Sequence, residues 1–90
     1  MTLFADLVVE ELARARRKHP SMPSLHHGHS VLLEELSEFW DEVKKQDGQR
    51  DLEAAVRELV QISASAQRIA EEVLNVGPVD SPFVNTGSGS

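Results

Sequence analysis

The most informative segment of this chain is residues 31–43, which read Val-Leu-Leu-Glu-Glu-Leu-Ser-Glu-Phe-Trp-Asp-Glu-Val. On a helix that turns by about 100° per residue, the large apolar side chains fall on one stripe and the carboxylates crowd its flank. The i,i+4 pairs Glu34/Glu38 and Glu38/Glu42 carry like charges, and each such pair costs a few tenths of a kcal/mol in an isolated helix. A bound divalent cation would offset this repulsion, and a solvated acidic face is the alternative interpretation.

The composition favours one small helical domain. The chain has 90 residues, of which 40% are hydrophobic and 4% aromatic, and it contains no cysteine. A single core of Leu, Val, Ile and Ala fits this length, and the lack of cysteine excludes disulfides and thiolate chemistry. Because a domain this small buries only about 60% of its unfolded surface, we expect self-association to stabilise it.

The charge balance argues against a nucleic-acid partner, because the net charge is −6 and phosphate backbones are bound mainly by Lys and Arg. One basic run, residues 14–19, departs from this balance. We interpret it as a solvated helix end that meets the negative end of the dipole, with a phosphate or acidic-partner contact as the alternative. We expect no membrane segment and a cytoplasmic location, because the chain lacks a signal-peptide pattern and a span of about 20 apolar residues.

The periodicity predicts three helices. The first covers residues 2–18, with Thr2 as its candidate N-cap, and the next two cover about residues 28–46 and 51–75. Gly48 lies in the tight turn between the last two and is suited to a left-handed conformation. In the first helix, the positions that recur near helical spacing are Leu3, Leu7, Val8, Glu11, Leu12 and Ala15.

These helices predict an all-α domain over residues 1–75. The short turn makes the second and third helices an antiparallel hairpin, the first helix packs beside it, and oligomerisation completes the bundle. Residues 76–90 are dense in Gly, Pro and Ser and predict an irregular tail, and residues 87–90 resemble an expression scar.

Glu58 on the third helix is a further candidate ligand. It lies at the edge of the apolar stripe, as Glu35 does on the second helix, and no basic residue on its own ridge neutralises it. If the stripes face each other, Glu35, Glu38 and Glu58 surround one point, where a semi-buried carboxylate requires a proton or a metal. The alternative is that Glu58 points into solvent or meets Arg57 or Arg68 of a neighbouring chain.

Residues 33–38, Leu-Glu-Glu-Leu-Ser-Glu, are followed about twenty residues later by residues 57–61, Arg-Glu-Leu-Val-Gln. This pair resembles the EExxE and ExxD motifs of the MazG-like, all-α nucleotide pyrophosphohydrolases, and the similarity covers roughly residues 26–74. The resemblance implies a helical bundle that holds Mg²⁺, with Mn²⁺ as a substitute. It also implies attack of water on a nucleoside triphosphate, which releases pyrophosphate and the monophosphate.

Carried over position by position, the resemblance makes Glu35, Glu38, Glu58 and Gln61 the metal ligands. Gln61 stands where the family has its fourth acid, and it brings a carbonyl oxygen without a charge. Glu38 and Glu42 are the candidates to position or deprotonate the water. The candidate substrate contacts are Lys44, Lys45 and Arg68 for the polyphosphate, His27 for a phosphate, and Trp40 for the base, with a core or dimer role as its alternative.

The leading interpretation is therefore a Mg²⁺-dependent nucleoside triphosphate pyrophosphohydrolase that forms a homodimer or homotetramer. Zinc binding by His26, His27 and His29 is disfavoured, because there is no cysteine and no HExxH motif. A second interpretation is a non-catalytic helical module that binds a nucleotide or a protein partner, which Gln61 and the short chain favour. A third is a purely structural dimerisation domain.

Overall fold

The computed structural model describes residues 2–45 and 47–77. These residues form helices and no strands, which confirms the all-α prediction. No helix among them is long and apolar enough to cross a membrane. The predicted tail lies outside the described residues from position 78 onward. The three α-helices are α1, Phe4–Lys18, α2, Leu25–Val43, and α3, Leu52–Arg68.

Two short turns complete the chain path. A 3-10 turn, Asp47–Gln49, leads from α2 into α3, and a π-helical turn, Ile69–Val73, continues α3 without a break. Gly48 does not take the left-handed conformation predicted for it, because the 3-10 turn uses right-handed backbone angles. The left-handed residue is Asn75, with φ 61°, and its short polar side chain tolerates that region.

The helix starts follow from local capping. Ser24 caps α2 by accepting a hydrogen bond from the His27 N–H at 3.1 Å, so α2 begins three residues before the predicted Gly28. Asp51 caps α3 in the same way, through the Ala54 N–H at 3.1 Å. At the start of α1 the N-cap is Leu3 instead of the predicted Thr2, and no side chain caps the helix there.

Helix α3 is the central element. It packs against both α1 and α2, whereas no Cα atom of α1 lies within 8 Å of one in α2 among the described residues. The buried apolar side chains are few: Leu12, Met22, Val60 and Ala64. Because α1 and α2 stand apart on the same central helix, the fold leaves an open cleft between them with α3 as its floor.

Helices α2 and α3 meet through paired contacts along their length. The Asp51 N–H donates to Glu42 Oε1 at 2.6 Å, near the 3-10 turn, and Ser65 Oγ donates to Glu35 Oε2 at 3.0 Å, farther along. At the start of α2, a Cβ atom on Gly28 would lie 2.6 Å from Ile69 Cγ1. Only glycine therefore lets the first turn of α2 approach the π-helical turn so closely.

An ion-pair network ties the end of α1 to the end of α3. Arg16 binds Glu71 at 2.6 Å and Glu72 at 2.7 Å. Arg68, only 4% exposed, binds Glu72 at 3.0 Å and donates to the His19 carbonyl at 2.7 Å. Arg16 and the bond from Arg68 to the His19 carbonyl thus join the end of α1 to the end of α3 and the π-helical turn, and loss of Glu72 would leave the buried Arg68 charge uncompensated.

Candidate functional site

The open cleft between α1 and α2 has a volume of about 720 Å³, within the range of about 300–1,000 Å³ that is typical of small-molecule sites. Its floor includes Ala64 and Ser65, whose small side chains leave room above α3. The titratable and amide side chains that line the cleft are Glu11, Glu34, Glu35, Glu38, Gln61, Arg14, Lys18, His19, His27 and Arg68.

The cleft has an acidic end and a basic end. On α1, Glu11 and Lys18 are seven residues apart on one face, so they lie about 10 Å apart along the helix axis. Glu11 is close enough to Glu35 for its charge to affect that carboxyl, whereas the residue after Lys18 contacts Arg68. Carboxylates thus gather towards Glu11, which is paired with Arg14, and Lys18 and Arg68 lie towards the other end of the cleft.

Glu35 is the central carboxyl of the acidic end. Its Oε2 accepts the hydrogen bond from Ser65, while its Oε1 is buried without a partner among the described residues. Burial, followed by the charges of Glu38, Glu11 and Glu58, raises the pKa of Glu35 to about 7, against the opposing effect of the Ser65 hydrogen bond. Glu35 is therefore poised between its neutral and charged forms near neutral pH.

Glu58 lies between α2 and α3, outside the lining of the cleft but beside Glu38. Its Oε1 is also buried without a hydrogen-bond partner in the described part of the chain. Burial raises the pKa of Glu58, and the proximity of the Glu38 carboxylate raises it further. The structure thus brings Glu35, Glu38 and Glu58 close enough to influence one another.

One observation on Glu35, Glu38 and Glu58 favours a bound metal ion, and another opposes a preformed site. Two buried carboxylate oxygens, on Glu35 and Glu58, lack a donor, and a cation would satisfy them. However, across residues 2–45 and 47–77 no three His, Cys, Asp or Glu side chains are arranged so as to hold a metal ion. An ion shared by three carboxylates therefore requires side-chain rotation, for which the exposed Glu38 has room.

Glu11 is a cleft residue that the sequence does not single out as a site candidate, as are Arg14, Lys18 and Ser65. It lines the cleft from α1 with Glu35 and Gln61, and it is paired with Arg14 at 2.9 Å. The signal was present in the sequence, because Glu11 interrupts the apolar positions that recur along the first helix. A carboxylate in the inward-facing stripe of a helix is costly to bury unless it has a partner or a function.

Glu42, Lys44 and Lys45 lie away from the cleft, at the turn between α2 and α3. Glu42 is buried, and the Asp51 N–H and Lys45 Nζ donate to its two oxygens at 2.6 and 2.9 Å. These two bonds, the backbone bond first, hold the pKa of Glu42 below its usual value. Lys44 pairs with Asp41 at 3.1 Å. Glu42, held by Lys45, therefore stabilises the start of α3 through the Asp51 N–H, whereas the Lys44–Asp41 pair lies within the end of α2.

The remaining predicted contacts divide between two surfaces. His27 and Arg68 line the cleft, although the Nε and Nη2 groups of Arg68 already bind Glu72 and the His19 carbonyl. Trp40 does not line the cleft and is 56% exposed on another side of α2.

Comparison of this chain with protein-family models, with curated proteins and with solved structures gives no match. The resemblance to the MazG-like enzymes therefore stays a prediction that depends on the motif residues themselves.

Proposed function

We propose that this protein is a Mg²⁺-dependent nucleoside triphosphate pyrophosphohydrolase, which converts a nucleoside triphosphate and water into the monophosphate and pyrophosphate. The observation that carries this proposal is the separation of charges within one cleft. At the acidic end, a buried Glu35 oxygen has no partner among residues 2–45 and 47–77, and at the basic end lie Lys18 and Arg68. A metal–triphosphate complex has the matching charges, since its cation prefers carboxylate oxygens and its phosphates prefer Lys and Arg.

Glu35, Glu38 and Glu58 would hold the ion, and Gln61 would add its carbonyl oxygen. When bound there, Mg²⁺ supplies positive charge to the phosphate oxygens and a water of lowered pKa. Ser65 orients Glu35 by holding Oε2, which leaves Oε1 available. Glu38, which is exposed in the cleft, is the group that positions the attacking water and accepts its proton. Glu42 has no part in this mechanism, because both its oxygens serve the turn.

The proposal includes an antiparallel hairpin of α2 and α3. Glu42 contacts Asp51, Glu38 contacts Glu58, and Glu35 contacts Ser65. As the residue number falls along α2, the number of the neighbouring residue rises along α3. This order supports the antiparallel arrangement.

We further propose that the hairpin forms a homodimer through its apolar flank. Leu36 and Trp40 are 50% and 56% exposed, and on α2 they lie on the opposite flank from Glu34 and Glu38, which line the cleft. Leu59 on α3 is also exposed, at 39%. Exposed apolar residues grouped in this way are typical of an interface.

The dimer has a direct test. Sedimentation of Leu36→Glu should show a monomer where the wild type is a dimer. Val9→Glu places the same charge on an exposed apolar site of α1 and should leave the dimer intact. A monomeric wild type, or an unaffected Leu36→Glu variant, would count against this interface.

The activity is tested by incubating the protein with single (d)NTPs and Mg²⁺ or Mn²⁺ and measuring pyrophosphate. We expect Glu38→Gln to lower turnover by about 100-fold or more, because it removes the general base. Asp41→Asn is the matched control, since Asp41 is exposed on the same helix outside the cleft lining. Absence of pyrophosphate with every nucleotide, or full activity of Glu38→Gln, would refute the enzyme proposal.

A second candidate function is a module that binds a nucleotide without hydrolysing it. Gln61, which lines the cleft without contributing charge, favours this alternative, as does the lack of a preformed three-carboxylate group in the described residues. Tight (d)NTP binding without turnover would select this function. Gain of turnover in Gln61→Asp would then show that the neutral amide is the cause.

A further inference from the structure

We propose that α1 provides the polyphosphate-binding wall of the cleft, with Arg14 and Lys18 as the residues that bind phosphate oxygens. The identity of the ligand as a triphosphate rests on the proposed function. The sequence alone favours a solvated helix end for the basic run, residues 14–19, with a phosphate or acidic-partner contact as the alternative. In the structure, Arg14, Lys18 and His19 of this run line the cleft that contains Glu35 and Glu38.

The geometry separates these two residues from their neighbours. Arg14 and Lys18 are at i and i+4 and share one face of α1 with Glu11, whereas Arg17 is exposed and does not line the cleft. Arg16 is engaged with Glu71 and Glu72. The run therefore supplies two cationic side chains to the cleft, Arg14 and Lys18, and beside them His19, whose carbonyl accepts from Arg68, whereas Arg16 and Arg17 lie outside the cleft.

The existing contacts indicate which groups are available to a ligand. Arg68 is almost fully buried, and its Nε and Nη2 groups are engaged by Glu72 and the His19 carbonyl. Lys18, by contrast, is exposed and has no ion pair within the described part of the chain. A phosphate oxygen can therefore bind the Lys18 ammonium group without displacing an existing partner, whereas binding to Arg68 would have to compete with Glu72 and the His19 carbonyl.

Arg14 acts as the link between the two ends of the cleft. Its guanidinium binds Glu11, which in turn lies close to Glu35. Because Arg14 is about half exposed, its outer N–H groups remain accessible to a phosphate oxygen. The order Glu11, Arg14, Lys18 along α1 then runs from the metal side of the cleft to the phosphate side. We expect the phosphates of the ligand to follow this order.

The test measures binding of inorganic tripolyphosphate by calorimetry in EDTA, so that neither metal binding nor hydrolysis contributes. We expect Arg14→Gln and Lys18→Gln each to weaken binding roughly ten-fold, because each removes a charge-assisted hydrogen bond. Arg17→Gln is the matched control, since it removes the same charge from the same helix turn, and it should change binding by less than about two-fold. Circular dichroism establishes that every variant keeps its helix content.

Two results would overturn the assignment: no binding of tripolyphosphate to the wild-type protein, or equal weakening by Arg17→Gln and Lys18→Gln. A parallel titration with a (d)NTP in EDTA shows whether free polyphosphate or a nucleotide is the preferred source of the phosphates. The results also distinguish failure of the polyphosphate-binding wall from failure of the proposed enzyme activity. Tripolyphosphate binding that depends on Lys18 without any turnover supports the wall and contradicts the enzyme, whereas turnover with an unchanged KM in Lys18→Gln contradicts only the wall.

Discussion

Glu35→Gln probes the buried carboxyl at the centre of the site by removing its charge while keeping its shape. The Glu35 pKa of about 7 lies 7 − 4.5, or about 2.5 pH units, above its usual value of 4.5. At about 1.4 kcal/mol per pH unit, this corresponds to at most about 3–4 kcal/mol of destabilisation once the group is charged. Because Glu35 is only partly buried, solvent screening reduces this, and we expect about 1–2 kcal/mol.

The sign of the effect follows from proton binding. Between pH 4.5 and about pH 7 the folded protein keeps the Glu35 proton that the unfolded chain has lost. The free energy of unfolding of the wild type therefore falls as pH rises through this window, and this contribution is constant above it. Since Glu35→Gln lacks the titrating group, its stability relative to the wild type should rise through the same window.

The assay is urea unfolding in EDTA at one protein concentration, from about pH 4.5 to about pH 8.5. Glu34→Gln is the control, because Glu34 is an exposed neighbour on the same helix, and its difference from the wild type should not vary with pH in this way. A Glu35→Gln difference that is independent of pH, or that falls as pH rises, would refute the reasoning. Added Mg²⁺ should stabilise the wild type near pH 8 and leave Glu35→Gln unchanged.

Two further substitutions test the surroundings of the site. Ser65→Ala removes the hydrogen bond that opposes the pKa rise of Glu35, so the Glu35 pKa should rise further, and a ¹³C NMR titration of the carboxyl that shows no rise would contradict this. Gly28→Ala places a Cβ atom 2.6 Å from Ile69 Cγ1 and should lower the free energy of unfolding by about 1–3 kcal/mol. The same change should cost little in an Ile69→Ala background, and an equal cost in both backgrounds would exclude that contact as the cause.

Much of the fold was predictable because helices depend on local signals. The three helices were predicted near their observed positions from apolar periodicity, from prolines and from the turn before Asp51. The second helix ends at Val43 and not near residue 46, and the α-helical part of the third ends at Arg68, with a π-helical turn to Val73, where one helix to about residue 75 was predicted. The start of α2 lies three residues before the predicted one, because the apolar pattern begins later than the cap provided by Ser24. Capping is also local, so this error reflects an overlooked signal.

The site was predictable only in part, as Glu35 and Glu42 illustrate. They are seven residues apart on the same face of α2, and they are the same residue type. The pKa of Glu35 is raised to about 7 because it is buried among carboxylates, whereas that of Glu42 is lowered because the Asp51 N–H and Lys45 donate to it. Helical spacing alone does not distinguish them, since the difference comes from α3 and the turn.

By itself, the sequence determined that this chain is helical, where its helices lie, and that α2 and α3 each carry carboxylates at the edge of an apolar stripe. The tertiary structure decided which charges share a cleft. It brought Glu11, Arg14 and Lys18 of α1 into the same cleft as Glu35. It placed the Glu42 carboxylate, near the end of α2, against the Asp51 N–H at the start of α3. The physical reason is range: backbone hydrogen bonds and side-chain periodicity act within a few residues, whereas burial and Coulomb interactions depend on which helices become neighbours.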